Sequence, residues 1–153
     1  MATLIRRATL ADRKIWAAMR IELWPEASLA VHSAELRGWL KRRRFRAWIA
    51  FEGDSAVGFA EAYVREFANG CEQQPVAFLE GIWVKKTHRR KGIGKDLIRS
   101  VEQWALAQGL KELGSDAYLG DTLSHRSHRG WGFHETERVV YFRKPLAGPK
   151  RPR

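Results

Sequence analysis

The spacing of apolar and polar positions changes period several times along the chain, and each change marks an element. Val76 to Val84 is an apolar run of strand length, with Pro75 before it and charged residues after it. From Gly94 onward Leu97, Ile98, Val101, Trp104, Ala105 and Gln108 fall at helical spacing, while Lys95, Arg99 and Glu102 take the watery side. Upstream, Leu4-Ile5-Arg6 reads as a short first strand, and Thr9 with Asp12 reads as a capping pair opening a helix that Pro25 ends. Ser33 is expected to start a second helix bearing Leu36, Trp39 and Leu40. Ala47 to Phe51 and Val57 to Val64 flank a Gly53-Asp54 turn, the pattern of an antiparallel hairpin. After the long helix come a fifth strand, Leu113 to Ala117, a helix, Thr122 to Trp131, and a terminal strand, Glu137 to Arg143. The order β, α, α, β, β, β, α, β, α, β predicts an α/β chain with a mixed sheet and helices on its faces. No repeat or linker interrupts it, so residues 1–146 read as one domain and 147–153 as a basic, disordered tail.

Lys85 to Gly94 joins the end of a strand to the start of a helix. A helix start carries unpaired N–H groups and the positive end of a dipole, so it favours an anion. Gly92 and Gly94 let a diphosphate approach the main chain, and Arg89, Arg90 and Lys91 add charge. A Walker loop is excluded, because Gly94-Lys95 is followed by Asp96 and the earlier glycine is missing. A dinucleotide fingerprint is weak, because its third glycine position is Leu97. A solvated basic turn with a glycine helix entry is the bland alternative. What remains is Arg89-x-x-Gly92-x-Gly94 between an apolar strand and an amphipathic helix, which resembles the acyl-CoA pyrophosphate loop of the GCN5-related N-acetyltransferases (GNAT).

A second match lies at Ser124 to Phe133, which is similar to the late helix and closing Gly-Phe turn of that family. In many members the position four before that glycine is a tyrosine that protonates the departing thiolate, and here it is His128. Imidazole, with an ordinary pKa of about 6.5, can fill that role, and a half-exposed helix histidine is the equally weighted alternative. Leu23-Trp24-Pro25, Asn69-Gly70-Cys71, Phe78 to Ile82, Gly114-Ser115-Asp116 and Glu135 to Val139 then resemble the aminoglycoside 6′-N-acetyltransferases. These segments span nearly the whole chain.

The resemblance implies a mostly antiparallel sheet splayed between strands 4 and 5, with acetyl-CoA as co-substrate lying across that opening. Its pyrophosphate is expected on the amides of Arg90, Lys91, Gly92, Ile93 and Gly94, with Arg89 and Lys95 beside it, and its pantetheine arm along Ile82, Trp83 and Val84. Carried over by position, Trp24, Phe67, Glu72, Glu80, Asp116 and Glu137 line an aminoglycoside pocket, with Phe67 standing where a close relative has a tyrosine. Glu80 and Asp116 are the candidate bases, Glu80 acting through water, and His128 the candidate acid. The resemblance also implies a homodimer in which the terminal strand helps build the partner's pocket.

At 153 residues and 44% hydrophobic, the chain suits one compact domain. The net charge of +11 raises nucleic acid or an anionic membrane as partners, but much of it sits in the anion loop and in Lys41-Arg42-Arg43-Arg44 at a helix end. No nucleic-acid motif is present, and neither partner is expected. Against this background the carboxylates Glu72, Glu80, Asp116 and Glu137 suit a polycationic acceptor, whereas Asp121 and Glu135 read as surface groups. Glu80 interrupts an apolar strand, and a buried carboxylate there needs a partner or a purpose. One cysteine, Cys71, excludes an intrachain disulfide, no zinc spacing occurs, and no apolar run of about 18 residues exists, so a metal-free cytoplasmic protein is expected. Two rival readings are a GNAT enzyme acting on another amine, such as a protein amino terminus or a polyamine, and a basic nucleic-acid binder.

Overall fold

A computed structural model describes residues 2–148. Its elements are β1 (Thr3–Arg7), α1 (Arg13–Leu23), α2 (Leu29–Leu40), β2 (Phe45–Glu52), β3 (Ser55–Arg65), β4 (Val76–Val84), α3 (Ile93–Ala107), β5 (Leu113–Gly114) and α4 (Thr122–Gly130), with short 3₁₀ turns at Leu10–Asp12 and Lys86–His88. The sheet runs β1-β2-β3-β4-β5, antiparallel except for the parallel β4–β5 pair. The expected mixed, mostly antiparallel sheet is therefore present. β5 meets β4 only at Ala77↔Leu113 and Phe78↔Gly114, so the edge of β4 beyond Phe78 has no strand partner on that side. This is the expected splay.

Alternation along β2 and β3 sends side chains to two cores. Trp48, Ala50, Val57, Ala60 and Ala62 pack with Leu79 against Ile93, Leu97, Ile98 and Val101 of α3. On the other face Phe45, Ala47, Ile49 and Phe59 pack against Trp16, Met19 and Leu36 of α1 and α2. All seven tryptophans are buried in or packed against these two clusters. Asp12 binds the Thr9 N–H and accepts two hydrogen bonds of 2.8 Å from Arg6, which tie β1 to the start of α1 and hold its carboxyl down at about 2.

Three expectations are corrected. α2 starts at Leu29, four residues before the expected Ser33, because its cap is Ser28, whose hydroxyl accepts from Val31 N at 3.3 Å. The buried face of that first turn is His32, 2% exposed, a polar residue that breaks the apolar pattern. β5 is two residues long rather than five. The terminal strand Glu137 to Arg143 does not form: a strand needs a ladder partner, and β5 offers an edge of only two residues. Val139, Val140, Tyr141 and Phe142 are instead 54–92% exposed. Of the expected basic tail, residues 149–153 lie outside the described residues.

Candidate active site

The loop between β4 and α3 is built around a left-handed turn. Arg90 has φ 62° and Gly92, the residue before α3, has φ 87°, a conformation that glycine adopts without strain. The first bond of the helix runs from Asp96 N to Gly92 O at 3.0 Å, which leaves the N–H groups of Ile93, Gly94 and Lys95 pointing out of the helix start. Ile93 is only 3% exposed and its side chain belongs to the α3 core, so its contribution to any ligand is its amide. Arg89 is pinned back by its Nε, which donates to Val84 O at 2.9 Å, whereas Arg90, Lys91 and Lys95 are exposed. A Cβ on Gly94 would lie 2.9 Å from the Trp131 ring, so the end of α4 rests directly on this loop.

On the α1 face of the sheet a cavity of about 360 Å³ is lined by Arg20, Trp24, Trp39, Phe45, Glu61, Tyr63, Arg65 and Glu80. Its position follows from a bulge. Glu61 pairs with Gly81 and Ala62 with Leu79, so Glu80 is the extra residue of β4. Arg65 holds it with two hydrogen bonds, Nε to Oε1 at 2.8 Å and Nη2 to Oε2 at 2.7 Å, and lies 3.6 Å over the Phe78 ring. The Glu80 carboxylate in turn raises the Arg65 pKa and holds the guanidinium in its charged form. Gly81 is required next to it, because a Cβ there would lie 2.7 Å from Cζ2 of Trp24. The Trp24 carbonyl accepts from His32 Nε2 at 3.0 Å, which fixes this tryptophan over the strand.

Glu61 was not singled out by the sequence, yet it is the most buried carboxylate of the cavity at 2% exposed. Trp16 Nε1 donates to it at 2.8 Å and Arg20 Nε lies 3.3 Å away, off the line of a hydrogen bond. Burial pushes its carboxyl up to about 7 against the opposing pull of Arg20 and Trp16. The folded chain therefore binds a proton that the unfolded chain, with an ordinary value of 4.5, has released. Stability from this group is present below about 4.5 and is lost as pH rises through about 7. Urea midpoints are expected to fall between pH 5 and pH 8 in the native protein and to flatten in Glu61→Gln; the same slope in both proteins would contradict the assignment.

His128 has both ring nitrogens occupied. Nδ1 lies 2.7 Å from the carbonyl of Ser124, so it carries the proton and donates, while Nε2 lies 2.7 Å from the hydroxyl of Ser115. The ring is packed by Trp131 and Phe133 at centroid distances of 5.4 and 5.2 Å. Asp116 follows Ser115 past the end of β5, is exposed, and stands close enough to Arg65 for its charge to act on that guanidinium.

The structure thus brings Trp24 and Glu80 together in one cavity, with Asp116 near their Arg65 partner, and sets the Ile82–Val84 edge between that cavity and the anion loop. Phe67, Glu72 and Glu137 are exposed and do not line the cavity. Their loops are nonetheless anchored nearby: Glu112 accepts from the amides of Glu72 and Gln73 at 2.9 and 3.0 Å, and Thr136 sits against Gly70. Sequence reasoning missed Arg20, Glu61, Arg65 and Ser115. The inward period of Phe59, Glu61 and Tyr63, and the i, i+4 pair Trp16 and Arg20, carry the signal that could have found the first two. No cluster of metal-ligating side chains and no helix long and apolar enough to cross a membrane occurs among the described residues.

Comparison with known proteins places the chain in a family. The model of the Acetyltransferase (GNAT) family matches residues 13–133. An aminoglycoside N(6′)-acetyltransferase type 1 of Stenotrophomonas maltophilia is 42% identical over 147 residues, covering 95% of both chains. One of Acinetobacter haemolyticus is 41% identical, covering 93% of this chain and 98% of its own. The crystal structure of an aminoglycoside antibiotic 6′-N-acetyltransferase from Acinetobacter baumannii superposes with a TM-score of 0.90 at 38% identity, over 95% of this chain and 100% of the other. A related structure, AAC(6′)-Iy in complex with the bisubstrate analogue CoA-S-monomethyl-acetylneamine, also gives 0.90, at 35% identity and the same coverage. On this sequence and structural likeness, the chain belongs to the GNAT acetyltransferase family, in its aminoglycoside N(6′)-acetyltransferase type 1 group.

Proposed function

We propose that this protein transfers the acetyl group of acetyl-CoA to the 6′-amine of aminoglycoside antibiotics by direct attack, and so confers resistance. The observation that carries the reading is the continuity of one strand: β4 runs from a carboxylate-lined, tryptophan-walled cavity, along an edge without a partner, to a helix start that favours anions. The loop fits a diphosphate. Gly92 has open space where a Cβ would stand, and the amides of Ile93, Gly94 and Lys95 and the cations Arg90, Lys91 and Lys95 surround it. The main chain of Ile82, Trp83 and Val84 would hold the pantetheine arm and offer an N–H to the thioester carbonyl.

Acetyl-CoA supplies the acetyl group already activated as a thioester. The chain has to deprotonate the amine, hold it and supply a proton to the leaving group. For an amine of lysine-like pKa, about 10.4, deprotonation at pH 7 costs roughly 4–5 kcal/mol, so carboxylates or a water anchored on them lower the barrier. Glu80 and Asp116 take that role, Glu80 through a water on the acceptor positions that its two hydrogen bonds from Arg65 leave open. Trp24 walls the acceptor, Phe67, Glu72 and Glu137 extend its rim, and His128 provides the proton. Residues 1–146 act as one catalytic unit in the cytoplasm, where acetyl-CoA is available. The exposed Val139 to Phe142 supports a homodimer in which this segment covers the partner.

The test is CoA release from acetyl-CoA with kanamycin or tobramycin, beside a 6′-hydroxyl aminoglycoside and spermidine. Turnover confined to drugs with a 6′-amine is expected. Turnover of spermidine alone would move the function to another amine, and retention on DNA without turnover would overturn the enzyme reading.

A further inference from the structure

We propose that Ser115 is the residue through which His128 passes a proton to the departing sulfur, so that a two-residue relay replaces direct donation from the imidazole. This rests on the acetyl-transfer reading above. The argument begins with Nδ1 of His128. A carbonyl oxygen can only accept, so the 2.7 Å contact to Ser124 O fixes the proton on Nδ1 and leaves Nε2 as the only nitrogen that can exchange one. Nε2 in turn faces the Ser115 hydroxyl at 2.7 Å and, among the described residues, no other partner. Trp131 and Phe133 pack the ring, and α4 fixes its backbone, so the imidazole is held in this orientation.

Ser115 occupies the place that such a relay needs. It follows Gly114, the last residue paired with β4 before the strands part, and it precedes Asp116, whose charge reaches the Arg65 that grips Glu80. It therefore stands at the mouth of the splay, between the carboxylate cavity and the imidazole. In the resting state the hydroxyl donates to Nε2. With the ring protonated, Nε2–H donates to Oγ, and the hydroxyl proton is free to point into the splay. During transfer the amine nitrogen forms its bond to the acetyl carbon as the carbon–sulfur bond breaks, and the bonding pair stays on sulfur. Ser115 gives its proton to that sulfur and takes the Nε2 proton of His128; the proton lost by the amine goes to water, and His128 is reprotonated from solvent.

Two readouts test the relay. In the ligand-free enzyme, the ¹⁵N resonance of His128 Nε2 is expected at a hydrogen-bonded position and should move to that of a free imine nitrogen in Ser115→Ala. In turnover, Ser115→Ala should lower kcat by about 100-fold with KM for acetyl-CoA unchanged, and Ser115→Thr should retain activity. An unchanged nitrogen resonance, an unchanged kcat in Ser115→Ala, or a loss in KM alone overturns the relay while leaving acetyl transfer intact. A native enzyme that releases no CoA with any amine overturns the transfer reading instead.

Discussion

Glu80→Gln is expected to lower kcat/KM for a 6′-amino acceptor by about 100- to 1000-fold, with KM for acetyl-CoA staying within a factor of about two. The substitution keeps the side chain's volume and its place in the bulge, so the change is electrostatic. Native Glu80 neutralises Arg65 through two short hydrogen bonds, and the guanidinium carbon lies 3.6 Å from the centre of the Phe78 ring. With glutamine there, an anion that attracts the amine is lost and a cation that repels it is uncovered. On the proposed reading both effects act at the acceptor end. The anion loop, at the far end of β4, is untouched. Adding Arg65→Met should recover part of the loss, because the uncovered charge goes with it, and the excess over additivity measures the coupling. A Glu80→Gln enzyme with native kcat/KM would remove Glu80 from the reaction.

The second large effect is on stability. Trp16 is fully buried between Phe45 and the α1 face of the sheet, and its indole N–H is the hydrogen-bond donor to Glu61. Trp16→Ala costs the packing of a large aromatic, about 3–5 kcal/mol, and leaves a buried carboxyl without its donor. That is a large share of the stability of a domain of this size, and Trp16→Ala is expected to lose its cooperative unfolding transition at 37 °C. Trp16→Phe separates the two effects. It keeps most of the volume, and its cost of about 1–3 kcal/mol comes mainly from the missing donor. Because Glu61 ionises near 7, the cost should be larger at pH 8 than at pH 5, where the carboxyl is protonated. Urea denaturation of both variants at the two pH values checks this, and an equal loss for Trp16→Phe at pH 5 and pH 8 would show that the indole donor does not serve the carboxylate.

How much of this was legible in the sequence depended on how local the determining contacts are. β4 is found over Val76–Val84 as expected, and the helix after Gly92 begins within one residue of its expected place, because seven apolar positions in nine and a glycine turn specify them without help from elsewhere. Glu80 could be suspected from its intrusion into an apolar run, but its partner Arg65 lies 15 residues away across a bulge that no spacing rule predicts. The failed terminal strand is the opposite case. Val139 to Phe142 have strand residue types, and what they lack is a long neighbouring edge, which β5 does not supply. Ser115 was visible only as part of a short Gly-Ser-Asp match, since its relation to His128 is a contact between separate elements.

The two-rung pairing of β5 with β4 has a consequence for how such an enzyme can change. Both main hydrophobic clusters are built from α1, α2, α3 and the strands β2 to β4, and among the buried residues of those clusters none comes from beyond Val101. The segment that carries Ser115, Asp116 and the apolar Val139 to Phe142 joins that body through the two β5 residues and through Trp131 and Phe133, while Glu112 and Thr136 tie it to the loop at residues 70–73. Substitutions there disturb little buried surface, so they cost little folding free energy. The late segment can therefore vary in sequence while the folded body keeps its stability.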